Sequence, residues 1–287
     1  MNPLISIIIP TYKRYHKISK AIDSLIRQTF KNWEAIVIDN NSNDGTRELI
    51  KSYEDDRVKF FQINNQGVIS KSRNFGITKS KGLFIAFLDS DDWWSSNKLQ
   101  IMHKAILDGH KFIYHNHYVV RSKLSIKKKY YSRSISKSTY NDLLLNGPCF
   151  ATSSVVVEKK ILKQINLFDE SDDLISWEDY DVWLRLAKLN INFHFINEFL
   201  SYIKQDDGNN LSSKKRINNI FSIKDKYLDK NNISLPNWSI IELFKNYSEI
   251  KNFNEAEIFF SKINFSNLRF LTRIKLISLY LLNKLKP

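Results

Sequence analysis

Four short strand-like runs, threaded by helix-periodic segments, fill the first ninety residues, and this alternation directs the chain toward βαβ units and a mostly parallel sheet. Residues 5–9 are apolar but for Ser6, as a strand buried on both faces tends to be, and the run is expected to stop at Pro10. Ile18, Ala21, Ile22, Leu25 and Ile26 then recur at three- and four-residue spacing, the pattern of one helix face. A second strand, residues 34–39, ends on Asp39 and is followed by a polar turn reaching Gly45. Residues 58–62 read as a third strand, and 68–79 as a helix carrying Arg73 and Asn74. A fourth run, 83–88, delivers Asp89, Ser90, Asp91 and Asp92: three carboxylates within four residues at a strand end.

Ligands of open α/β sheets bind in the crevice beyond the carboxyl ends of the strands. Three such ends here offer Pro10, Thr11 and Tyr12, then Asp39, then the Asp89–Asp92 cluster. Mg²⁺ or Mn²⁺ needs oxygen ligands, and one or two carboxylates suffice when phosphates complete the shell. The cluster therefore suits a cation held against a diphosphate, and equally an acidic turn capping the next helix. Asp39 taken alone also reads as a turn residue accepting local backbone bonds.

Composition narrows the partners. Lys and Arg number 44 against 30 Asp and Glu, and the net charge of +14 favours nucleic acid, an anionic membrane surface or a phosphorylated substrate. With only seven glycines, there is no Gly-rich phosphate loop, so any diphosphate must be gripped in another way. Cys149 is the sole cysteine, which excludes an intrachain disulfide and a Cys-based zinc cage and fits a reducing compartment. No uncharged apolar run approaches the roughly 20 residues that span a bilayer. The expectation is a cytoplasmic protein, peripheral to a membrane.

Beyond residue 95 the pattern loosens. Alternation sets His115 and His117 on one sheet face without carboxylate company, a solvated or hydrogen-bonded strand face. Lys127 to Lys129 reads as a mobile solvated loop, and residues 153–157 as a strand before a helix at 159–164. In the helix that begins near Trp177, Val182, Leu186 and Leu189 form a buried stripe, with Glu178 and Asp179 in its first turn. Acids there favour the helix dipole, and a carboxylate so placed can also point into a cleft as a general base. From about residue 212 the chain is Lys- and Asn-rich with helical periodicity. Its last stretch sets Leu268, Leu271, Ile274, Ile277, Leu281 and Leu285 along one side among Arg269, Arg273, Lys275, Lys284 and Lys286. Such a basic amphipathic helix can lie in a membrane interface or pack on its own domain.

Taken in order, several motifs resemble the inverting family 2 glycosyltransferases of GT-A fold over roughly the first 205 residues. They are Ser6-Ile7-Ile8-Ile9-Pro10-Thr11-Tyr12, Ser24-Leu25-Ile26-Arg27-Gln28-Thr29-Phe30, Glu34-Ala35-Ile36-Val37-Ile38-Asp39, Ser72-Arg73-Asn74, Asp89-Ser90-Asp91-Asp92 and Trp177-Glu178-Asp179-Tyr180-Asp181. The resemblance implies a Rossmann-like, mostly parallel sheet flanked by helices, in a catalytic domain over 1–210. Its nucleotide half would span about 1–95 and its acceptor half about 96–210, with a helical C-terminal region at 211–287. It also implies a UDP-hexose donor, UDP-glucose or UDP-galactose, transferred with inversion to an acceptor hydroxyl; the basic tail and the net charge of +14 add the expectation of a sugar acceptor on a polyprenyl diphosphate at the inner membrane face. The setting would be O-antigen or capsule synthesis, with a β-linked product.

By that similarity, Pro10, Thr11 and Tyr12 border the uracil, Asp39 accepts the uracil N3 proton, and Arg73 reaches the nucleotide. Asp89 and Ser90 lie near uracil or ribose, Asp91 ligates Mn²⁺ or Mg²⁺, and Asp92 touches the donor sugar. Glu178 and Asp179 match the acceptor-side acidic pair, Asp179 as base. Two departures stand out. Asn166-Leu167 replaces a glycine pair common before Phe168-Asp169-Glu170, which suggests a different backbone path in that loop. Tyr202-Ile203-Lys204-Gln205-Asp206 lacks the histidine that several relatives place after the late strand, leaving Lys204 as a phosphate contact. Two other classes fit parts of the pattern: a basic nucleic-acid-binding protein, against which the dispersed Lys and Arg argue, and a non-catalytic UDP-sugar-binding module.

Overall fold

The computed structural model describes residues 3–121, 127–136, 138–205, 212–228, 235–266 and 268–285. Along the chain run β1 (Ile5–Thr11), α1 (Tyr15–Ile26), β2 (Trp33–Asp39), α2 (Thr46–Lys51), β3 (Val58–Gln62), α3 (Ile69–Lys79), β4 (Phe84–Phe87) and β5 (Trp93–Trp94). Next come α4 (Lys98–Leu107), β6 (Phe112–Arg121), β7 (Lys127–Tyr130), α5 (Thr139–Asn146), β8 (Val156–Glu158), α6 (Lys159–Gln164), α7 (Glu178–Lys188) and β9 (Phe193–Gln205). The helices α8 (Ser213–Tyr227), α9 (Asn237–Glu249), α10 (Phe253–Ser261) and α11 (Phe270–Lys284) follow. The chain divides into two compact units, residues 1–140 with 148–209 and residues 141–147 with 210–287.

In the first unit the strands order as β3-β2-β1-β4-β8-β6-β9-β5, with β7 on β6. The segment β3-β2-β1-β4 is wholly parallel, and beyond β4 the pairing becomes mixed. β1 and β2 are buried at every position, which is why their sequences are mostly apolar without alternation. Helix α1 closes one face with Ile18, Ala21, Ile22 and Leu25, all fully buried. On α3, Gly76 lets the helix lie directly on the sheet: a Cβ there would sit 2.7 Å from Ile38 Cδ1 and 2.9 Å from Ile8 Cγ2. Since α3 carries Arg73, this close approach also sets the depth of that side chain.

The chain departs from its sequence pattern at several points. β1 runs through Pro10 to Thr11. Ile8 faces β4 through its carbonyl, and by alternation so does the nitrogen of Pro10, where β4 has already ended at Phe87 and no ladder bond is lost. Residues 152–154 form a 3₁₀ turn, and only then does β8 begin. Lys127 to Lys129 are exposed but paired with β6 as a strand rather than forming a loop. His115 and His117 are both buried, and a bulge against β9 interrupts the simple alternation around Asn116. His115 Nδ1 meets the Asn116 carbonyl at 2.7 Å, and its Nε2 lies 3.3 Å from Ser201 Oγ. Leu189 falls off the buried stripe of α7, being 43% exposed where the helix ends.

In the second unit Leu243 and Phe244 of α9 are fully buried, and Ala256 of α10 nearly so. Helix α11 inserts Leu276 and Asn283 into the unit but leaves Leu271, Ile274, Ile277, Leu281 and Leu285 exposed. The apolar side foreseen from its sequence is therefore the side that its own unit does not cover. Among the described residues no helix is long and apolar enough to cross a membrane.

Candidate active site

The strand order reverses between β1 and β4, and there the C-terminal ends of both strands open a cavity of about 510 Å³. Pro10, Thr11 and Tyr12 line it from β1, and Asp89, Ser90 and Asp91 from beyond β4. Thr11 pairs in register with Asp39, so the carboxylate at the end of β2 comes alongside. Asp39 is 1% exposed; its Oδ2 accepts from Ser42 N at 2.7 Å, while its Oδ1 has no partner.

Arg73 crosses from α3 beneath the cavity. One guanidinium nitrogen donates to Asp89 Oδ1 at 3.1 Å and another to Glu178 Oε1, the first residue of α7. The guanidinium is thus consumed by protein carboxylates and does not line the cavity, so it positions the site instead of reaching into it. Burial disfavours its charge, but Glu178, Asp89 and Asp179 more than offset this and keep it firmly protonated. Burial pushes Glu178 above the usual carboxylate range, with Arg73 opposing and Asp179 adding to the rise. Asp179, half-buried, accepts from the Thr152 hydroxyl at Oδ2 and from Tyr180 N at Oδ1.

Asp92 turns away from the cavity. It is 3% exposed and accepts from Ser153 Oγ at 2.6 Å and Lys204 N at 2.9 Å. Its place is in a buried knot where the Ser153 carbonyl receives the Lys98 ammonium at 2.8 Å and the Trp94 indole at 2.9 Å. Burial drives Lys98 well below its ordinary pKa, partly opposed by Asp92, and drives Asp92 well above its own. The knot fixes the Asp89–Asp92 turn, because Ser153 Oγ also accepts from Asp89 N at 3.1 Å. Lys204 enters the knot through its backbone N–H.

Arg14, Asn40, Asn65, Gly67, Ile69 and Ser176 also line the first cavity and were not singled out in the sequence. The signal for Arg14 was its place in the loop after β1; its Nη2 lies 3.8 Å from Asp91 Oδ2. The Asn166-Leu167 pair has φ of 58° and 61°, the left-handed region that glycine favours, so losing the glycines does not force a different φ. Asn74 clamps the next residues, donating to Phe168 O at 2.9 Å and accepting from Phe168 N at 2.9 Å.

Among the described residues no group of three or more His, Cys, Asp or Glu side chains forms a metal cage. The cavity instead offers the neighbouring carboxylates Asp89 and Asp91, and burial plus the charge of Asp89 raises the pKa of Asp91 against the pull of Arg14. That donor set fits a hard cation whose remaining ligands are phosphate oxygens.

A doubly wound sheet with acids gathered at its switch point defines the frame of a GT-A glycosyltransferase. Residues 6–165 match the family model described as Glycosyl transferase family 2, and the chain belongs to that family. It is 35% identical, over 68% of its length and 73% of the relative's, to the UDP-Glc:alpha-D-GlcNAc-diphosphoundecaprenol beta-1,3-glucosyltransferase WfgD of Escherichia coli. The chain spans only 27% and 34% of two longer relatives that are also glycosyltransferases. Its fold resembles S. aureus TarS 1-349 in complex with UDP, with a TM-score of 0.58 at 20% identity over 96% of this chain and 89% of that one. The mannosyltransferase PcManGT of Pyrobaculum calidifontis, in complex with GDP-Man and Mn2+, superposes with a TM-score of 0.60 at 14% identity, over 100% of this chain and 82% of that one.

Proposed function

We propose that the chain is a metal-dependent inverting hexosyltransferase that moves glucose from UDP-glucose to a sugar on a polyprenyl diphosphate, forming a β-linkage in a surface polysaccharide of the O-antigen or capsule kind. UDP-galactose is the second donor to test. One observation carries the reading. Thr11 Oγ1 and Asp39 Oδ1 are buried polar atoms without a partner, and both belong to residues singled out in advance for one nucleotide-sugar site. A buried polar atom left unpaired costs about 1–3 kcal/mol, so two on adjacent strand ends favour a polar ligand that pairs with them. The relative WfgD adds support for the donor, the lipid-linked acceptor and the β-linkage.

In this reading Thr11 and Tyr12 border the uracil and Asp39 Oδ1 accepts its N3 proton. Asp91, with Asp89 beside it, would hold Mn²⁺ or Mg²⁺, which when bound offsets the negative charge developing on the leaving diphosphate. Arg14, close to Asp91, adds a protein cation on that side. Asp179 takes the proton of the acceptor hydroxyl as its oxygen bonds to the anomeric carbon, and the bond to UDP breaks with its electron pair on the diphosphate. Attack from the face opposite UDP inverts the centre, turning an α-linked donor into a β-linked product. General-base assistance of this type contributes about 10² to 10⁴ in rate. Thr152, donating to Asp179, holds that carboxylate in place.

The acceptor places the enzyme on the cytoplasmic face of the inner membrane, and the exposed apolar side of α11, flanked by Arg269, Arg273, Lys275 and Lys284, is the proposed contact. UDP release from a panel of nucleotide sugars, with and without Mn²⁺ and acceptor, tests the reading, with the product linkage determined by NMR. Turnover of UDP-glucose only with metal and acceptor supports it. UDP-sugar binding without turnover would identify a non-catalytic module instead.

A further inference from the structure

The 3₁₀ turn Thr152–Ser154 joins the donor-side acids to Asp179 by hydrogen bonds, and all three of its residues are buried. Two consecutive hydroxyls do this. The Thr152 hydroxyl donates to Asp179 Oδ2, while Ser153 Oγ donates to Asp92 Oδ2 at 2.6 Å and accepts from Asp89 N at 3.1 Å. One step of backbone therefore separates the group that holds the carboxylate assigned as base from the group that holds the turn carrying Asp89 and Asp91.

Lys98, the first residue of α4, anchors this turn. Its side chain is fully buried, and its ammonium donates to the Ser153 carbonyl at 2.8 Å and lies 3.5 Å from the centroid of the Trp94 ring. The same carbonyl receives the Trp94 indole at 2.9 Å and the Ser201 hydroxyl at 3.1 Å. A carbonyl oxygen has two lone pairs, so satisfying it does not require a third donor. Burying an ammonium against a neutral partner also costs more than burying an apolar side chain of similar length. What the ammonium adds is a charged, and so stronger, bond at the one residue between the two hydroxyl contacts.

We propose that Lys98 is a positioning residue for the transfer reaction. By fixing the Ser153 carbonyl it holds the Asp89–Asp92 turn and the Asp179 carboxylate in one arrangement, so that donor binding and proton acceptance both depend on a side chain whose own contacts are Ser153 and Trp94. The inference rests on the glycosyltransfer reading given above and adds the support that the two halves of the site share.

The test uses the full chain and the variants Lys98→Met, Thr152→Val and Thr152→Ser. Calorimetry gives the affinity for UDP with Mn²⁺, and steady-state assays with UDP-glucose and acceptor give kcat at saturating donor. Lys98→Met is expected to lower both about tenfold while its Tm stays at or above that of wild type, because an apolar side chain replaces a buried charge. Thr152→Val is expected to lower kcat about tenfold and leave UDP affinity within about twofold, and Thr152→Ser, which keeps the hydroxyl, to restore kcat. Wild-type kcat and UDP affinity in Lys98→Met would overturn the proposal, and so would a loss confined to one of the two. If Lys98→Met does not fold, Lys98→Gln takes its place under the same outcomes.

If wild type turns over no nucleotide sugar, the glycosyltransfer reading fails by itself. Amide exchange of the metal-free protein, read by NMR, then decides the support at two positions: Asp89 N, bonded to Ser153 Oγ, and Tyr180 N, bonded to Asp179 Oδ1 at 2.7 Å. Faster exchange at both in the Lys98 variant upholds it, and wild-type exchange at either overturns it.

Discussion

Arg73 and Glu178, 105 residues apart in sequence, form a buried ion pair that ties α3 to the first turn of α7. Arg73 also holds Asp89, so the turn after β4 and the first turn of α7 share one guanidinium. Because both side chains are at most 6% exposed, the pair is shielded from solvent.

Removing either partner breaks a buried ion pair, which costs about 3–5 kcal/mol, at the lower end for Glu178 because Arg73 keeps Asp89. Arg73→Ala and Glu178→Ala are each expected to lower stability by about that amount, and the double variant by clearly less than the sum. Urea denaturation of the four proteins measures this; additive losses would mean that the two residues do not depend on each other.

Asp39→Asn keeps the size of the side chain but takes away the charge of the unpartnered acceptor, leaving an amide in place of one oxygen. UDP affinity is expected to drop about tenfold or more by calorimetry, with unfolding little changed. Unaltered affinity would remove Asp39 from the uracil contact.

The raised pKa of Asp91 has two consequences of definite sign. Burial and Asp89 make the native state hold this proton longer than the unfolded chain does, so the contribution of this group to stability declines as pH rises through the raised value. Asp91→Asn is therefore expected to raise the Tm of the metal-free protein at pH 7. The same variant is expected to weaken Mn²⁺-dependent donor binding. In the wild type, metal-supported activity should fall on the acid side at a pH above the ordinary carboxylate range. A lowered Tm for Asp91→Asn would contradict the strain attributed to the cluster.

Leu271 and Leu281 are 70% and 55% exposed on α11. Leu271→Glu/Leu281→Glu is expected to shift the protein away from phosphatidylglycerol vesicles in flotation, without a loss of stability, because neither side chain is buried. Unchanged flotation would place the membrane contact elsewhere.

Much of this site was legible because strand ends announce themselves: apolar runs followed by Thr11, Asp39 and Asp89 place those residues at one edge of a parallel sheet. The local partners were not legible. Nothing in the run Asp89-Ser90-Asp91-Asp92 tells which carboxylate turns inward, since that depends on Ser153, 61 residues away from Asp92, and on a lysine buried at position 98. Lys98 reads as a surface residue in sequence, yet it is fully buried against Trp94 and the Ser153 carbonyl. Arg73 was found but misplaced, because its partners come from α7, far along the chain. β7 was hidden by three lysines, whose charge outweighs strand propensity in any local reading. The order of the mixed strands beyond β4 depends on long-range pairing and has no signature in any one segment.

Asp179→Asn keeps the shape of the side chain beside Thr152 and removes the carboxylate proposed as base. In single-turnover and steady-state assays with UDP-glucose and acceptor, UDP affinity should stay within about twofold while kcat falls about 10² to 10⁴-fold. Near-normal turnover by Asp179→Asn would contradict the assignment of Asp179 as the group that takes the acceptor proton.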